Sequence, residues 1–264
     1  MIASNKRITG TREWAVHNVN CIIGCSHNCR YCYARSMAID FGRATLESWP
    51  VEKVRTAEVN KRRPLLDGTV MFPTTHDISP ANQQPCITVI RKLLDAGNRV
   101  LIVTKPHWHV IAAICAQTFW RRDQILFRFT IGSIDDSILG YWEPGAPPYP
   151  ERLASLKHAH QAGFATSVSI EPMLDVTGLD RLIGDIYPFI TDSIWIGKMN
   201  HIRNRVRIET AEDRNRVQAI EAGQTDASIR AIYDRYKNDP KIRWKESIKQ
   251  VVGLPLAQTA GEEQ

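Results

Sequence analysis

The sequence has no apolar run approaching the ~18 residues that a membrane-spanning helix requires. Its first residues, MIASNKRITGTREW, lack the apolar core of a signal peptide. A cytoplasmic location is therefore expected, in a compartment that keeps thiols reduced. Cysteine is scarce too: six in 264 residues are too few for a disulfide scaffold. Internal repeats and low-complexity segments are missing, which excludes a solenoid or a disordered tail protein.

What is present is globular usage, 43% hydrophobic and 23% charged, enough for one large core. The formal charge of +6 permits a polyanionic partner without demanding one. Short β-rich runs alternate with segments of helical period. The runs are WAVHNV (14–19), TVMF (69–72), RVLIV (99–103), ILFRFTI (125–131), ATSVSI (165–170) and SIWIG (193–197). Helices are expected at 34–41, 82–96, 107–120, 149–162 and 177–187; DAGNRV and HQAGFAT each end one at a glycine before the next strand. This alternation predicts an α/β fold with a parallel sheet. The units number fewer than those of a closed TIM barrel. After about residue 200 the pattern stops. ASIRAIYDRYKN (227–238) is expected to be helical, IRW a short strand and LAQTAGEEQ a frayed tail.

In parallel α/β proteins, reactive groups collect where strands end. Strand one runs into GCSHNCRYCYAR (24–35), and strand two into PTTHD (73–77). The later strands end at Thr104 and Lys105, at Thr130 and Ser133, at Glu171, and at Lys198 and Asn200. Helix caps account for several of the Ser and Thr residues; Lys105, Glu171 and Lys198 are harder to explain that way. Glu171 is either a ligand-binding carboxylate or a partner of a barrel lysine, and Lys198 a contact to substrate or cofactor.

Three of the six cysteines, Cys25, Cys29 and Cys32, fall within eight positions. A structural zinc needs four protein ligands, usually as two separated pairs. Here there is a single trio, with His27 or Cys21 as the only nearby completions. A [4Fe–4S] cluster on three cysteines instead leaves one iron open to a small molecule. Cys86 and Cys115 lie on apolar helical stretches and read as small core residues.

CSHNCRYC fits CxxxCxφC, the signature of the radical S-adenosylmethionine (SAM) superfamily, with Tyr31 as φ. Together with THD, VTKP and EPGAPPYPERL, the chain resembles spore photoproduct lyase and its relatives over roughly residues 12 to 200. SIEPMLD and SIWIGKMN are more similar to phage-associated, largely uncharacterised members of that group. The resemblance implies a partial (βα)6 TIM-type barrel over residues 1–200, with residues 201–264 as a helical extension and tail packed on it. It implies a [4Fe–4S] cluster on Cys25, Cys29 and Cys32, SAM as cofactor, and an electron donor such as flavodoxin or ferredoxin. SAM is reductively cleaved to a 5′-deoxyadenosyl radical that abstracts hydrogen from substrate. By the same resemblance Lys105 reaches the SAM carboxylate, Thr75 and His76 lie near its amino group, Thr130 or Ser133 approaches the ribose or carboxylate, and Tyr31 borders the adenine. Lys198 and Glu171 are the candidate catalytic residues. In spore photoproduct lyase a cysteine at the end of strand two returns a hydrogen to the product; Thr74 holds that position here, so true photoproduct repair is not expected.

Arg203, Arg205 and Arg207 alternate, and an extended strand would turn all three to one face to meet phosphates; ion pairing with Glu209, Glu212 and Asp213 is the alternative. The expected substrate is a nucleobase or modified DNA base. A peptide or small metabolite is the second enzymatic reading, and a zinc-stabilised nucleic-acid-binding module is the reading of another class.

Overall fold

In a computed structural model, residues 8–263 are described. Seven strands form one all-parallel sheet in the order β1-β4-β5-β6-β7-β8-β9. They are β1 (His17–Asn18), β4 (Thr69–Phe72), β5 (Arg99–Thr104), β6 (Ile125–Thr130), β7 (Ala165–Ile170), β8 (Ile194–Ile196) and β9 (Ile242–Trp244). The short strands β2 (Ile22–Ile23) and β3 (Lys53–Val54) form a separate antiparallel pair beside the cysteine loop. The residues before Ile8, and with them the N-terminal part of the signal-peptide reading, lie outside the described residues.

The strands are buried on both faces, so most read as continuous apolar runs. Their outer faces pack beneath α3 (Gln83–Asp95), α4 (Trp108–Thr118), α6 (Tyr149–Gln161) and α7 (Leu179–Ile186). α1 (Tyr33–Asp40), α2 (Thr56–Asn60) and α5 (Asp136–Trp142) belong to the loops at the strand ends. The inner face carries a smaller cluster of Trp14, Met71, Leu101 and Trp195. Arg128 is fully buried there, its guanidinium 4.7 Å from the Trp14 ring and 5.2 Å from that of Trp195. Burial lowers its pKa to about 10, Asp192 only partly opposing this. Two indole faces shield a charge that the barrel interior could not otherwise hold.

The barrel is open, because β1 and β9 are not paired with each other. IRW is its seventh strand, so the sheet has one more strand than the alternating pattern predicts. IRW is the short strand expected of it; it stands after α8 (Ile202–Arg205), α9 (Ala211–Gly223) and α10 (Asp226–Tyr236), outside the alternating pattern, and joins the same sheet beside β8. α11 (Glu246–Val252) follows it. The tail expected to fray is tied down. Gly261 N donates to Arg12 O (2.9 Å), Glu263 N donates to Glu13 O (3.1 Å), and Lys249 pairs with Glu263. The two ends of the chain thus cover the open side together.

Candidate active site

Alternate residues of each strand face inward, and those at the C-terminal ends line a cavity of about 510 Å³ at the barrel mouth. Cys25, Cys29 and Cys32 lie on one wall. Their loop leaves β2 and enters α1, where Cys32 is the N-cap and its sulfur accepts from Arg35 N (3.4 Å). Several contacts fix the loop. Cys25 N donates to Trp49 O (2.9 Å), Gly145 N donates to His27 O (3.1 Å), and Arg30 N donates to Trp142 O (2.8 Å). Glu52 accepts from both Ser26 N (3.0 Å) and Ser26 Oγ (2.7 Å), and also holds Ser79 and Asn82. Gly24 adopts φ +86°, and a Cβ there would stand 2.5 Å from Val51 O, so only glycine fits.

Burial raises the pKa of all three thiols, that of Cys29 to about 12. Without a cation they are neutral, and a bound metal would draw off their protons. The donor set fits an iron–sulfur cluster: three soft sulfurs on one pinned loop lining a cavity, while His27 and Asp77, the ligand-type groups near Cys25 among the described residues, are held in side-chain pairs of their own. Neither expected zinc completion is free. Cys21 Sγ lies 3.8 Å from Cys86 Sγ in the core, and His27 Nδ1 is 3.0 Å from Asp77 while its Nε2 is 3.0 Å from His107 Nε2. Cys25, His27 and Asp77 could group around a metal, but Asp77 is already committed. Its carboxylate accepts from Lys105 N (2.7 Å) and Thr104 Oγ1 (2.9 Å), and pairs with Lys105 Nζ (3.3 Å). Burial opposes ionisation of Asp77, yet Lys105 and His27 together hold it well below the usual carboxylate range. Burial likewise opposes the charge on Lys105, and Asp77 raises its pKa well above that of a free lysine.

The predicted residues divide into those the cavity gathers and those it does not. Tyr31, Thr75, His76, Lys105, Thr130, Glu171, Lys198 and Arg205 all line it. Tyr31 donates to Glu143, which is buried with Arg152 as an ion pair (2.6 Å). His76 is structural in its bonding: Nε2 accepts from Cys21 N (3.3 Å) and Nδ1 donates to Asp77 O (3.0 Å), which leaves no free ring nitrogen. Asn20 Oδ1 accepts from Thr74 N and Thr75 N and shapes that turn. Thr74 also lines the cavity, and its carbonyl accepts from Tyr33. Ser133 does not line it; its buried hydroxyl accepts from Asp135 N (2.9 Å) at the start of α5. Lys198 Nζ is 4.0 Å from Asp226.

The arginine trio does not form the extended face expected of it. Ile202–Arg205 is a helical turn, so the period-two argument fails. Arg203 is exposed and doubly bonded to Glu221 (2.6 and 2.9 Å), and Arg207 lies 3.9 Å from Glu209 beside a separate shallow depression. Only Arg205 turns to the mouth.

Sequence reasoning missed Asp77, Glu143, Glu13, Lys245 and Glu246. Lys245 is fully buried against Glu13, Gly10 O (2.9 Å) and the Trp14 ring (4.0 Å), with Glu171 at 3.6 Å. Burial raises the Glu13 pKa to about 8, with Lys245 opposing and Glu246 reinforcing the rise. Glu171 is raised as well, again chiefly by burial. Asp77 stood in the THD run and Glu143 opened EPGAPPYPERL; Glu13, Lys245 and Glu246 carried no signal, because positions far apart in sequence bring them together.

No family model matches the chain. An uncharacterised protein of Methanocaldococcus jannaschii is 25% identical over 191 residues, 71% of this chain and 73% of that protein. An uncharacterised protein of Acidianus two-tailed virus is 25% identical over 172 residues, 61% of this chain and 56% of that protein. Among solved structures, spore photoproduct lyase with bound AdoMet and dinucleoside spore photoproduct superposes with TM-score 0.55 at 16% identity, over 92% of this chain and 80% of that one. Streptococcus suis SuiB bound to S-adenosylmethionine gives TM-score 0.56 at 7% identity, over 93% of this chain and 54% of that one. The chain therefore carries the open, parallel α/β barrel fold seen in these two radical SAM enzymes.

Proposed function

We propose that the protein is a radical SAM enzyme acting on a nucleobase, most simply a modified base in DNA. The observation that carries the reading is the convergence of Cys25, Cys29 and Cys32 with Tyr31, Lys105 and Thr130 on one cavity at the mouth of an open parallel barrel. When bound, a [4Fe–4S] cluster on the three cysteines supplies the electron that cleaves SAM to methionine and a 5′-deoxyadenosyl radical.

The chain's own residues position that chemistry. The cysteine loop, pinned by Glu52 and by the backbone around Trp49 and Trp142, keeps the thiol donors in place. Lys105 provides the cation suited to the SAM carboxylate, and Asp77 keeps it charged and aimed from behind. Thr75 and Thr130 offer hydroxyls at the same mouth, and Glu171 and Lys198, on the same lining, serve as substrate contacts.

Support for a nucleic-acid substrate comes from the net charge of +6 and from Arg12, Lys198 and Arg205 at the mouth. Spore photoproduct lyase holds a dinucleoside in a similar fold. The second reading, a peptide substrate, draws on SuiB, whose structure is also known bound to the precursor peptide SuiA; Arg12, Lys198 and Arg205 on the lining favour the nucleotide. The electron donor is a flavodoxin- or ferredoxin-type protein.

Anaerobic reconstitution with iron and sulfide tests the reading. A brown protein that forms 5′-deoxyadenosine from SAM under dithionite is the expected result. Stoichiometric zinc with no 5′-deoxyadenosine would sink it.

A further inference from the structure

The wall of the cavity made by β7 and β9 has an excess of hydrogen-bond acceptors. Glu13, Glu171 and Glu246 crowd one buried ammonium, Lys245. That ammonium is occupied: it pairs with Glu13, donates to Gly10 O and lies over the Trp14 ring. Glu171 shares the same ammonium through a longer ion pair (3.6 Å), and its side chain is 21% exposed toward the cavity. Gly197 makes this crowding possible, since a Cβ there would sit 2.9 Å from both Glu171 Cγ and Lys245 Cγ. Glu246 lines the same cavity and is 7% exposed. Its Oε1 accepts from Asn200 Nδ2 (3.2 Å), while its buried Oε2 has no partner.

A buried carboxylate oxygen without a donor is costly, and native proteins rarely leave one. Glu246 Oε2, on the wall of an enzyme cavity, lacks what a ligand can supply, namely an N–H group, and Glu171 on the same wall holds only a long ion pair to Lys245. We propose that Glu171 and Glu246 receive the exocyclic amine of the substrate base, so that the site selects an amine-bearing nucleobase over one with a carbonyl at that position. Thymine and uracil present a carbonyl oxygen there, which would face carboxylate oxygens with no proton between them. Cytosine presents two N–H donors in the same place, and carboxylates are the natural partners of its amine. Lys198 and Arg205, on the same cavity, are left for phosphate or carbonyl oxygens.

This assignment rests on the nucleobase reading above, and its test separates the two. Reconstituted protein is saturated with SAM, without reductant, and titrated with fluorescent oligo-dC and oligo-dU, which differ at C4 (amine against carbonyl) and at N3 (acceptor against N–H). A preference for oligo-dC of about tenfold is expected, the size of one good base-edge contact. Glu171→Gln and Glu246→Gln, which offer an amide N–H to a carbonyl, should abolish or invert it. The preference is a ratio within each variant, so a lower folded fraction cancels. Equal binding of both oligonucleotides by the native protein would overturn the assignment alone. So would variants that keep the preference while losing affinity for SAM, because the carboxylates would then serve the cofactor. Binding of neither oligonucleotide would overturn the nucleic-acid reading and this assignment with it, while leaving 5′-deoxyadenosine formation as the separate test of radical chemistry.

Discussion

Replacing Asp77 by asparagine isolates the charge that holds the cysteine wall to the Lys105 wall. The amide oxygen can still accept from Lys105 N and Thr104 Oγ1, so the turn keeps two of its bonds. What is lost is the counter-charge to Lys105, which is 9% exposed, and the acceptor for His27 Nδ1; an amide N–H turned to that side would face two donors. Removing one partner of a buried ion pair costs about 3–5 kcal/mol. For a chain of this size ~1 kcal/mol moves Tm by roughly 2–4 °C, so a fall of about 6–20 °C is expected. Circular dichroism melts of Asp77→Asn, Lys105→Met and the double variant form the cycle. Removing the ammonium as well should recover a large part of the loss, giving a coupling of about 2 kcal/mol or more. The pH dependence has a defined sign. The folded pKa of Asp77 lies below its unfolded value of about 3.9, so its contribution is complete above that pH and fades as the pH falls through the folded value. Acid unfolding should accordingly lose steepness in the asparagine variant. A change in Tm under about 2 °C, or costs that add within ~0.5 kcal/mol, would refute the claim that this pair is energetically coupled.

Other substitutions probe the loop and the far wall. Cys29→Ala should lose the brown chromophore and 5′-deoxyadenosine formation, whereas Cys115→Ala, a core position on α4, should keep both; iron assay and product chromatography distinguish them. Gly145→Ala would drive a Cβ onto the Ser26 carbonyl, and reduced iron content at preserved secondary structure is expected. Glu143→Gln strips the fully buried Arg152 of its counter-charge and should destabilise by about 3–5 kcal/mol in urea unfolding. Glu13 has a raised folded pKa near 8, so its protonated form favours folding: the stabilisation is complete below about pH 4 and declines as the pH rises through 8. Urea titrations between pH 6 and 9 should show that decline, and Glu13→Gln should flatten it.

The fold was legible because parallel strands buried on both faces leave short apolar runs that helices with glycine ends then separate. ATSVSI is found as β7 (Ala165–Ile170) and TVMF as β4 (Thr69–Phe72), residue for residue. IRW was legible as a short strand but not as the seventh of the sheet, and periodicity failed at IRNR, a helical turn too short to possess any. The arginine argument failed for that reason, since period-two reasoning needs a strand. The cysteine trio was legible because one loop supplies it. Glu13, Lys245 and Glu246 were not, because their acquaintance is tertiary. They meet only where the first described turn and the last strand close over each other, more than 230 positions apart.

That closure explains why the barrel can stay open. A parallel sheet with two free edges would expose unpaired backbone at β1 and β9. Here the segment around Gly10–Glu13 is tied to the chain beyond β9, through Lys245 and through the backbone N–H groups of Gly261 and Glu263. The ionic joint is made by Lys245, immediately after β9, with Glu13, immediately before Trp14. The same joint places Glu246 on the cavity, because Glu246 N donates to Glu13 Oε1 (3.0 Å) and so starts α11 at the mouth. Covering the open side and building the acceptor-rich wall are thus one structural event. A chain shortened after Asn238 would lose β9, Lys245 and Glu246 together, and with them part of the cavity lining, while all three cysteines and Lys105 would remain. The C-terminal segment is in this sense part of the site. The cysteine loop can specify where a radical is made, but only the wall that the two chain ends complete can specify what it meets.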